Sequence, residues 1–277
     1  MPLKLMYITN KPGIAKIAEE NTVDRIWVDL ETMGKAERQR FVNSVKSNHT
    51  MEDVSVIRSA LTKAHLLVRV NPLHEGSACE VDEVIARGAD IVMLPMFETA
   101  DDAKRFIDLV GGRAKTLLLA ETRNAEQNID AIAALDGVDE IHIGLNDLHL
   151  DHGMTFMFEL LADGTVERMA NAIKKRGIPF GFGGIARLDE GLLPARHIIT
   201  EHYRLGSSMA ILSRSFYDSW VEAEPEEIRS IFHYGMLEIR DLEQRLADKP
   251  DAYFEENRRR VANEVQTVVK ALKSRKG

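Results

Sequence analysis

Residues 117–153 read LLLAETRNAEQNIDAIAALDGVDEIHIGLNDLHLDHG, and the alternation within this stretch decides the fold. Leu117-Leu118-Leu119-Ala120 is a short apolar run closed by a carboxylate, Glu121. From Asn124 to Leu135, the residues Ile129, Ile132, Ala133 and Leu135 recur at helical spacing, and Asp136-Gly137 stops the helix. Ile141-His142-Ile143-Gly144 is a second buried strand, followed by a loop that carries Asp147. The unit is strand, helix, strand, with an acid at the end of each of two parallel strands. When such units close into a barrel, the carboxyl ends of all strands open on one face, so Glu121 and Asp147 are expected at one mouth. Two carboxylates there suit Mg²⁺ or Mn²⁺, which keeps water or substrate oxygens on its other positions. Gly144 leaves room for a ligand to approach. A surface helix flanked by two solvated acids is the alternative, and the equivalent placement of the acids in consecutive units argues against it.

The same alternation extends in both directions. Strands are expected at Leu3–Thr9, Arg25–Leu30, Leu66–Val68, Ile91–Pro95, Ile178–Phe182 and Ser208–Leu212. Helices are expected from Lys11 to Asn21, Lys35 to Ser47, Asp53 to Thr62, Glu80 to Arg87, Thr99 to Val110 and Pro194 to His202. Thr99 is a side-chain cap, and Phe156–Arg176 holds one or two further helices. Eight strands alternating with helices predict a (β/α)₈ barrel. An open doubly wound sheet would want a glycine-rich phosphate turn after the first strand, and Lys11-Pro12-Gly13 is not one.

From Glu224 the texture changes, which divides the chain into a barrel over 1–220 and a helical hairpin over 221–277. Pro225 starts a charged helix to Ala247, Lys249-Pro250 breaks it, and Asp251 to Ser274 makes a second. Ile228, Ile231, Phe232, Leu237, Leu242 and Leu246 form an apolar stripe. The hairpin either folds back on its own barrel or packs on a neighbouring subunit.

Composition narrows the function classes. A net charge of −8 spread along 277 residues leaves no basic footprint for nucleic acid. The N-terminus lacks the length of a signal peptide, and nowhere do eighteen apolar residues run together, so no membrane span is expected. Cys79 is the only cysteine, which excludes an internal disulfide and suits a reducing cytoplasm.

The motifs E-T-x-x-A-x-x-N and G-V-D-x-I-x-I-G-x-N-D-L-x-x-D-x-G resemble the HpcH/HpaI aldolase and citrate lyase family, over roughly residues 23 to 215. The resemblance implies that Glu121 and Asp147 hold a divalent metal (Mg²⁺, or Mn²⁺ or Co²⁺) and that Gly144, Leu145 and Asn146 lie against the substrate. It also implies that Arg69, at the end of the third strand, neutralises the enolate oxygen of pyruvate. Its guanidinium fork suits a carboxylate or an enolate. Without the resemblance, Arg69 reads as an ion-pair partner of Asp29 or Glu31. Asp29-Leu30-Glu31 with Lys35 and Arg38, and Arg69-Val70-Asn71-Pro72, resemble segments of the citrate lyase branch. There Asp29 and Glu31 would orient water on the metal.

Two departures stand out. Where the aldolase branch has a histidine after the acids, this chain has Thr32, and where the acyl-CoA branch tends to Pro-Lys, it has Pro95-Met96. His74, His149 and His152 are the loop imidazoles that could supply the missing acid–base group. His142 reads as a satisfied strand histidine. Gly181-Phe182-Gly183-Gly184, after the seventh strand, reads as an anion cradle or a tight turn. No strand end carries the lysine that a Schiff base would need.

The expected function is a metal-dependent carbon–carbon lyase that splits a 4-hydroxy-2-oxo acid into an aldehyde and a pyruvate enolate. A lyase of an acyl thioester is the second reading, and a barrel that has lost catalysis and serves as a scaffold is the third. The resemblance further implies a homo-oligomer, since relatives exchange C-terminal helices.

Overall fold

Strands apolar on both faces belong between a layer of helices and a filled interior. The computed structural model describes residues 2–34, 48–217 and 223–274, and its strands are of this kind. They are β1 (Lys4–Ile8), β2 (Arg25–Asp29), β3 (His65–Arg69), β4 (Ile91–Leu94), β5 (Lys115–Ala120), β6 (Glu140–Ile143), β7 (Phe180–Ile185) and β8 (Met209–Leu212). Each pairs in parallel with the next, and β8 pairs with β1, which closes the barrel. Met6, Trp27, Leu67, Met93, Leu117 and Met209 fill the interior, while a larger apolar layer lies between strands and helices.

Helix α1 (Pro12–Glu20) follows β1, α2 (Met51–Ala60) precedes β3, α3 (Ser77–Ala86) follows it, and α4 (Ala100–Val110) follows β4. Between β5 and β6 lie α5 (Arg123–Gln127) and α6 (Ile129–Ile132); between β6 and β7 lie α7 (Leu145–Asp151), α8 (Glu159–Ala162) and α9 (Thr165–Lys174). Helix α10 (Ala195–Leu205) joins β7 to β8, and α11 (Pro225–Ala247) and α12 (Asp251–Ser274) follow β8. Thr99 caps α4 as expected, its Oγ1 accepting from Asp102 N–H at 3.1 Å. The helix expected over Lys35–Ser47, with Arg38, lies outside the described residues.

Four local expectations are corrected. The helix from Asn124 to Leu135 is broken at Asn128, whose amide nitrogen bonds back to Asn124 O at 2.9 Å. Asp147 lies in the first turn of α7, not in a loop. Strand β7 runs later than Ile178–Phe182, so its glycines are inside the strand. A Cβ on Gly181 would come within 2.4 Å of Met209 O, so the glycine lets β7 and β8 close, and the ladder slips between Gly181 and Gly184. Leu237 faces away from the molecule at 53% exposure, because the period of α11 buries Ile228, Phe232, Met236, Ile239, Leu242 and Leu246 instead.

This C-terminal segment packs on its own barrel, each helix separately: α11 lies on α1 and α10, and α12 on α10 and α8. Buried polar groups hold it there. Glu243 accepts from Leu3 N–H at 2.7 Å, and the Asn257 amide donates to Glu201 Oε1 at 2.8 Å and His197 O at 3.0 Å. Among the described residues no helix is long and apolar enough to cross a membrane.

Candidate active site

The register of β2 on β3 sets Asp29 opposite Arg69, although forty residues separate them in the chain. Both side chains are buried at the mouth. Arg69 donates from Nε to Asp29 Oδ1 and from Nη2 to Asp29 Oδ2, each at 2.8 Å. Nη2 also lies 3.2 Å from Glu31 Oε2, and the guanidinium sits 5.0 Å above the Trp27 ring. Burial opposes the charge, but the Asp29 and Glu31 carboxylates outweigh it and raise the Arg69 pKa further, so the group stays protonated. The ion-pair reading of Arg69 is therefore correct, yet incomplete. Its Nη1 donates to no described residue.

Glu121 leaves β5 buried, and its Oε1 accepts from Met96 N–H at 3.2 Å. Met96 holds a left-handed φ of 53°, rare for a residue with a side chain. The position where the acyl-CoA branch tends to lysine thus serves Glu121 through its backbone. Gly144, after β6, is the close approach: a Cβ there would lie 2.7 Å from Glu121 Cβ and 2.9 Å from its Oε2. Only glycine lets the Glu121 carboxylate and the start of α7 share this space. Among the described residues, no three His, Cys, Asp or Glu side chains form a ready metal cluster.

A cavity of about 480 Å³ opens at this end. It is lined by Asp29, Arg69, Glu121, Gly144, Leu145, Asn146 and Asp147 among others, so most of the sequence-derived candidates converge. Glu31 reaches it through Arg69. His74 and His149 do not reach it. His74 is turned to Glu80, with Nε2 3.2 Å from the carboxylate and Nδ1 accepting from Gly76 N–H at 3.0 Å. His149 is buried with Nδ1 donating to Leu145 O at 3.1 Å, and His152 Nε2 lies 2.6 Å from Glu126. In each case a nearby acceptor in the same loop or helix bundle claims the ring.

Other residues come to the cavity unforeseen. His49 lines it, and its Nδ1 accepts from Asp29 N–H at 3.0 Å. Lys11 and Arg214 line the β1 and β8 side, where Lys11 Nζ lies 3.3 Å from the Tyr217 hydroxyl. His142 lines it from the barrel wall and is only half satisfied: Nε2 donates to Gly183 O at 3.1 Å, and Nδ1 has no partner among the described residues. Burial pulls its pKa down to about 4, so the ring is neutral. A histidine just before the Thr50 cap of α2 was a visible signal for His49, but its direction was not.

Compared with known protein families, residues 4–180 match the profile described as HpcH/HpaI aldolase/citrate lyase. The chain belongs to the HpcH/HpaI aldolase/citrate lyase family. It is thus a carbon–carbon lyase of the aldolase type, in a family that depends on divalent metal. Among its relatives is a 4-hydroxy-4-methyl-2-oxoglutarate aldolase of Chaetomium globosum, 25% identical over 63% of this chain and 72% of that one. A hydroxypyruvate/pyruvate aldolase of Roseobacter denitrificans is 25% identical over 54% of this chain and 71% of its own. A 4-hydroxy-2-oxovalerate aldolase of Novosphingobium aromaticivorans is 31% identical over 46% and 57%. The fold is shared with a crystal structure of a family member from Burkholderia cenocepacia, at a TM-score of 0.60 and 17% identity over 76% of this chain and 88% of that one.

Proposed function

We propose that the chain cleaves or forms 4-hydroxy-2-oxo acids through the enolate of pyruvate. The observation that carries this reading is the Arg69 guanidinium, fixed on two edges by Asp29 and Glu31 with Nη1 left over, in the cavity that Glu121 and Asp147 also line. Glu121 and Asp147 would hold the divalent metal, Mg²⁺ or alternatively Mn²⁺ or Co²⁺. Two hard oxygen ligands fit such an ion, and the space kept by Gly144 fits their approach. When bound, the metal supplies Lewis-acid polarisation and a template for the 2-oxo acid.

The chain's own residues do the rest. Arg69 donates to the oxygen that gains charge as the enolate forms, and its ion pair with Asp29 holds it there without reorganisation. Asp29 and Glu31 set the direction of the guanidinium and orient water beside the metal. Gly144, Leu145 and Asn146 form the wall against which the 2-oxo acid rests. The aldehyde released or consumed occupies the remaining cavity.

The acyl thioester reading loses its main support in Asn71. Its Oδ1 accepts from Thr32 N–H at 2.9 Å and Met33 N–H at 3.1 Å, and its Nδ2 donates to Glu80 at 2.8 Å. The R-x-N-P segment therefore ties the loop after β2 to the loop after β3. Two further parts belong to the same reading: a cytoplasmic location, and residues 221–277 as a unit that joins copies into a homo-oligomer. Tyr234 and Leu237, exposed at 65% and 53% on α11, support the second part, and a monomer in sedimentation at micromolar concentration would remove it.

The central test is proton–deuterium exchange at the pyruvate methyl group, followed by NMR with Mg²⁺, Mn²⁺ or EDTA. Exchange that needs metal and vanishes in Glu121→Ala and Arg69→Ala is expected. Metal binding without exchange would favour the thioester, and neither would leave the scaffold.

A further inference from the structure

The first residues of β1, β3 and β5 are Lys4, His65 and Lys115. Side chains of a strand alternate between its two faces. Met6, Leu67 and Leu117, two places further on, belong to the apolar filling of the barrel, so Lys4, His65 and Lys115 are on the same inward face. Their ladder neighbours are Met209, Arg25 and Ile91, which with Glu140 make the next layer from the even strands. At its amino end the barrel is thus filled by the buried Arg25–Glu140 ion pair and rimmed by basic side chains. A cavity of about 420 Å³ opens there, and Lys63 lines it together with Lys4, His65 and Lys115.

Glu19, Glu20 and Asp24 line the same cavity, and each is committed elsewhere. Glu19 accepts from the backbone N–H groups of Thr62, Lys63 and Ala64 at 2.8, 2.6 and 2.7 Å. Asp24 Oδ2 accepts from Leu5 N–H at 2.8 Å and from Arg240 at 3.4 Å, and Glu20 pairs with Arg229 of α11. Glu140 is taken by the Arg25 fork, so Lys4, whose Nζ stands 3.8 Å from it, shares a carboxylate already matched. Among the described residues, the ammonium groups of Lys63 and Lys115 and the His65 ring have no hydrogen-bond or ion-pair partner. Like charges set round one concavity without counter-charges focus a positive potential in it.

We propose that this floor cavity binds a small multivalent oxyanion, a phosphate ester or a polycarboxylate, held by Lys4, Lys63, His65 and Lys115. The four side chains enter from three strands and a loop, so an anion with charged oxygens on more than one side meets them together, whereas a single carboxylate reaches only part of the set. Each lysine offers three N–H donors, and the His65 ring donates from one nitrogen even when neutral. Binding removes the repulsion among the lysines, and salt that screens the field weakens it. The layers of Met6, Leu67 and Leu117 and of Trp27 and Met93 lie between this cavity and the mouth. The ligand is therefore not a reactant of the lyase, and the site does not depend on the enolate reading.

The test is calorimetric titration of the full-length, Mg²⁺-loaded protein with inorganic phosphate and with tricarballylate, a tricarboxylate, with chloride adjusted to hold the ionic strength constant. Saturable binding is expected, and the tighter of the two anions tells a phosphate ester from a polycarboxylate. The double variant Lys63→Gln with Lys115→Gln, both exposed positions, should weaken binding at least about tenfold, the scale of two lost charge-assisted contacts. Its pyruvate methyl exchange should match wild type. The carbon-bound ring protons of His65, assigned with His65→Gln, should shift in the NMR spectrum as the anion is added. Arg69→Lys, which alters the mouth, should keep the full affinity. Failure of both anions to bind, or binding that the double variant retains, would overturn the proposal. Affinity lost in Arg69→Lys and kept in the double variant would place the anion at the mouth and overturn it as well.

Discussion

The floor and the mouth of the barrel hold the same pair of groups in different company. At the floor, Arg25 donates from Nη1 and Nη2 to Glu140 at 2.6 and 2.7 Å, both residues are 3% exposed, and the sulphurs of Met6 and Met209 lie 3.9 and 3.7 Å from Nη1. At the mouth, Arg69 makes an equally good fork with Asp29, but Glu31 lies beside it and Glu121 and Asp147 line the same cavity. The cavities at the two ends are alike in size, about 480 and 420 Å³. Neither volume nor a buried ion pair therefore marks the functional end. In the function proposed above, what marks it is a guanidinium that keeps a donor in reserve beside carboxylates of other strand ends, at the end where loops can vary without disturbing the ladder. An arginine matched by one acid and packed among thioethers contributes to folding alone.

The sharpest way to break this contrast is at the floor. Glu140→Ala leaves Arg25 buried without its main partner and should cost about 3–5 kcal/mol, read as a lowered urea midpoint. Exchange per folded molecule should be unchanged; a loss of turnover at constant stability would mean that the floor takes part in catalysis. At the mouth the pattern should invert. Arg69→Lys keeps the charge and loses the fork, so exchange should drop about 10²- to 10³-fold, with a modest change in midpoint.

Between the two ends lies His142, whose burial lowers its pKa from 6.5 to about 4. Above pH 6.5 the ring is neutral in folded and unfolded chains alike and contributes no slope. Below it the unfolded chain binds a proton that the folded one refuses, so stability falls with pH down to about 4, by at most about 3 kcal/mol. Urea titrations at pH 7 and 4.5 should show this loss, reduced in His142→Asn. His202 is lowered by burial in the same direction, so part of the slope remains. The smallest effect is expected for Gly144→Ala, whose Cβ meets Glu121 at 2.7 Å. About 1–3 kcal/mol of stability should go, together with roughly tenfold in Mn²⁺ affinity by titration calorimetry. Unchanged metal affinity would separate Gly144 from the mouth's chemistry.

Much of this was legible in residue order. The β–α alternation specifies the barrel, and acids that follow β5 at once and β6 within one helical turn must arrive at one mouth because parallel strands all point the same way. The hairpin helices begin and end where Pro225 and the Lys249-Pro250 break predict, since proline acts through its own ring. These are local effects of period, chirality and a fixed φ, and they need no partner.

Closure of the barrel decided the rest. It set Asp29 against Arg69, pulled His49 to the vacant donor at the end of β2, and left His74 and His149 on other acceptors. It moved β7 until its glycines met β8, and it chose Met236 over Leu237 for the buried face of α11. Each of these choices depends on which distant group is nearest once the chain has folded. Periodicity assigns a residue to a face, but the direction of a loop side chain is settled by the hydrogen bond or cavity that the rest of the chain brings to it.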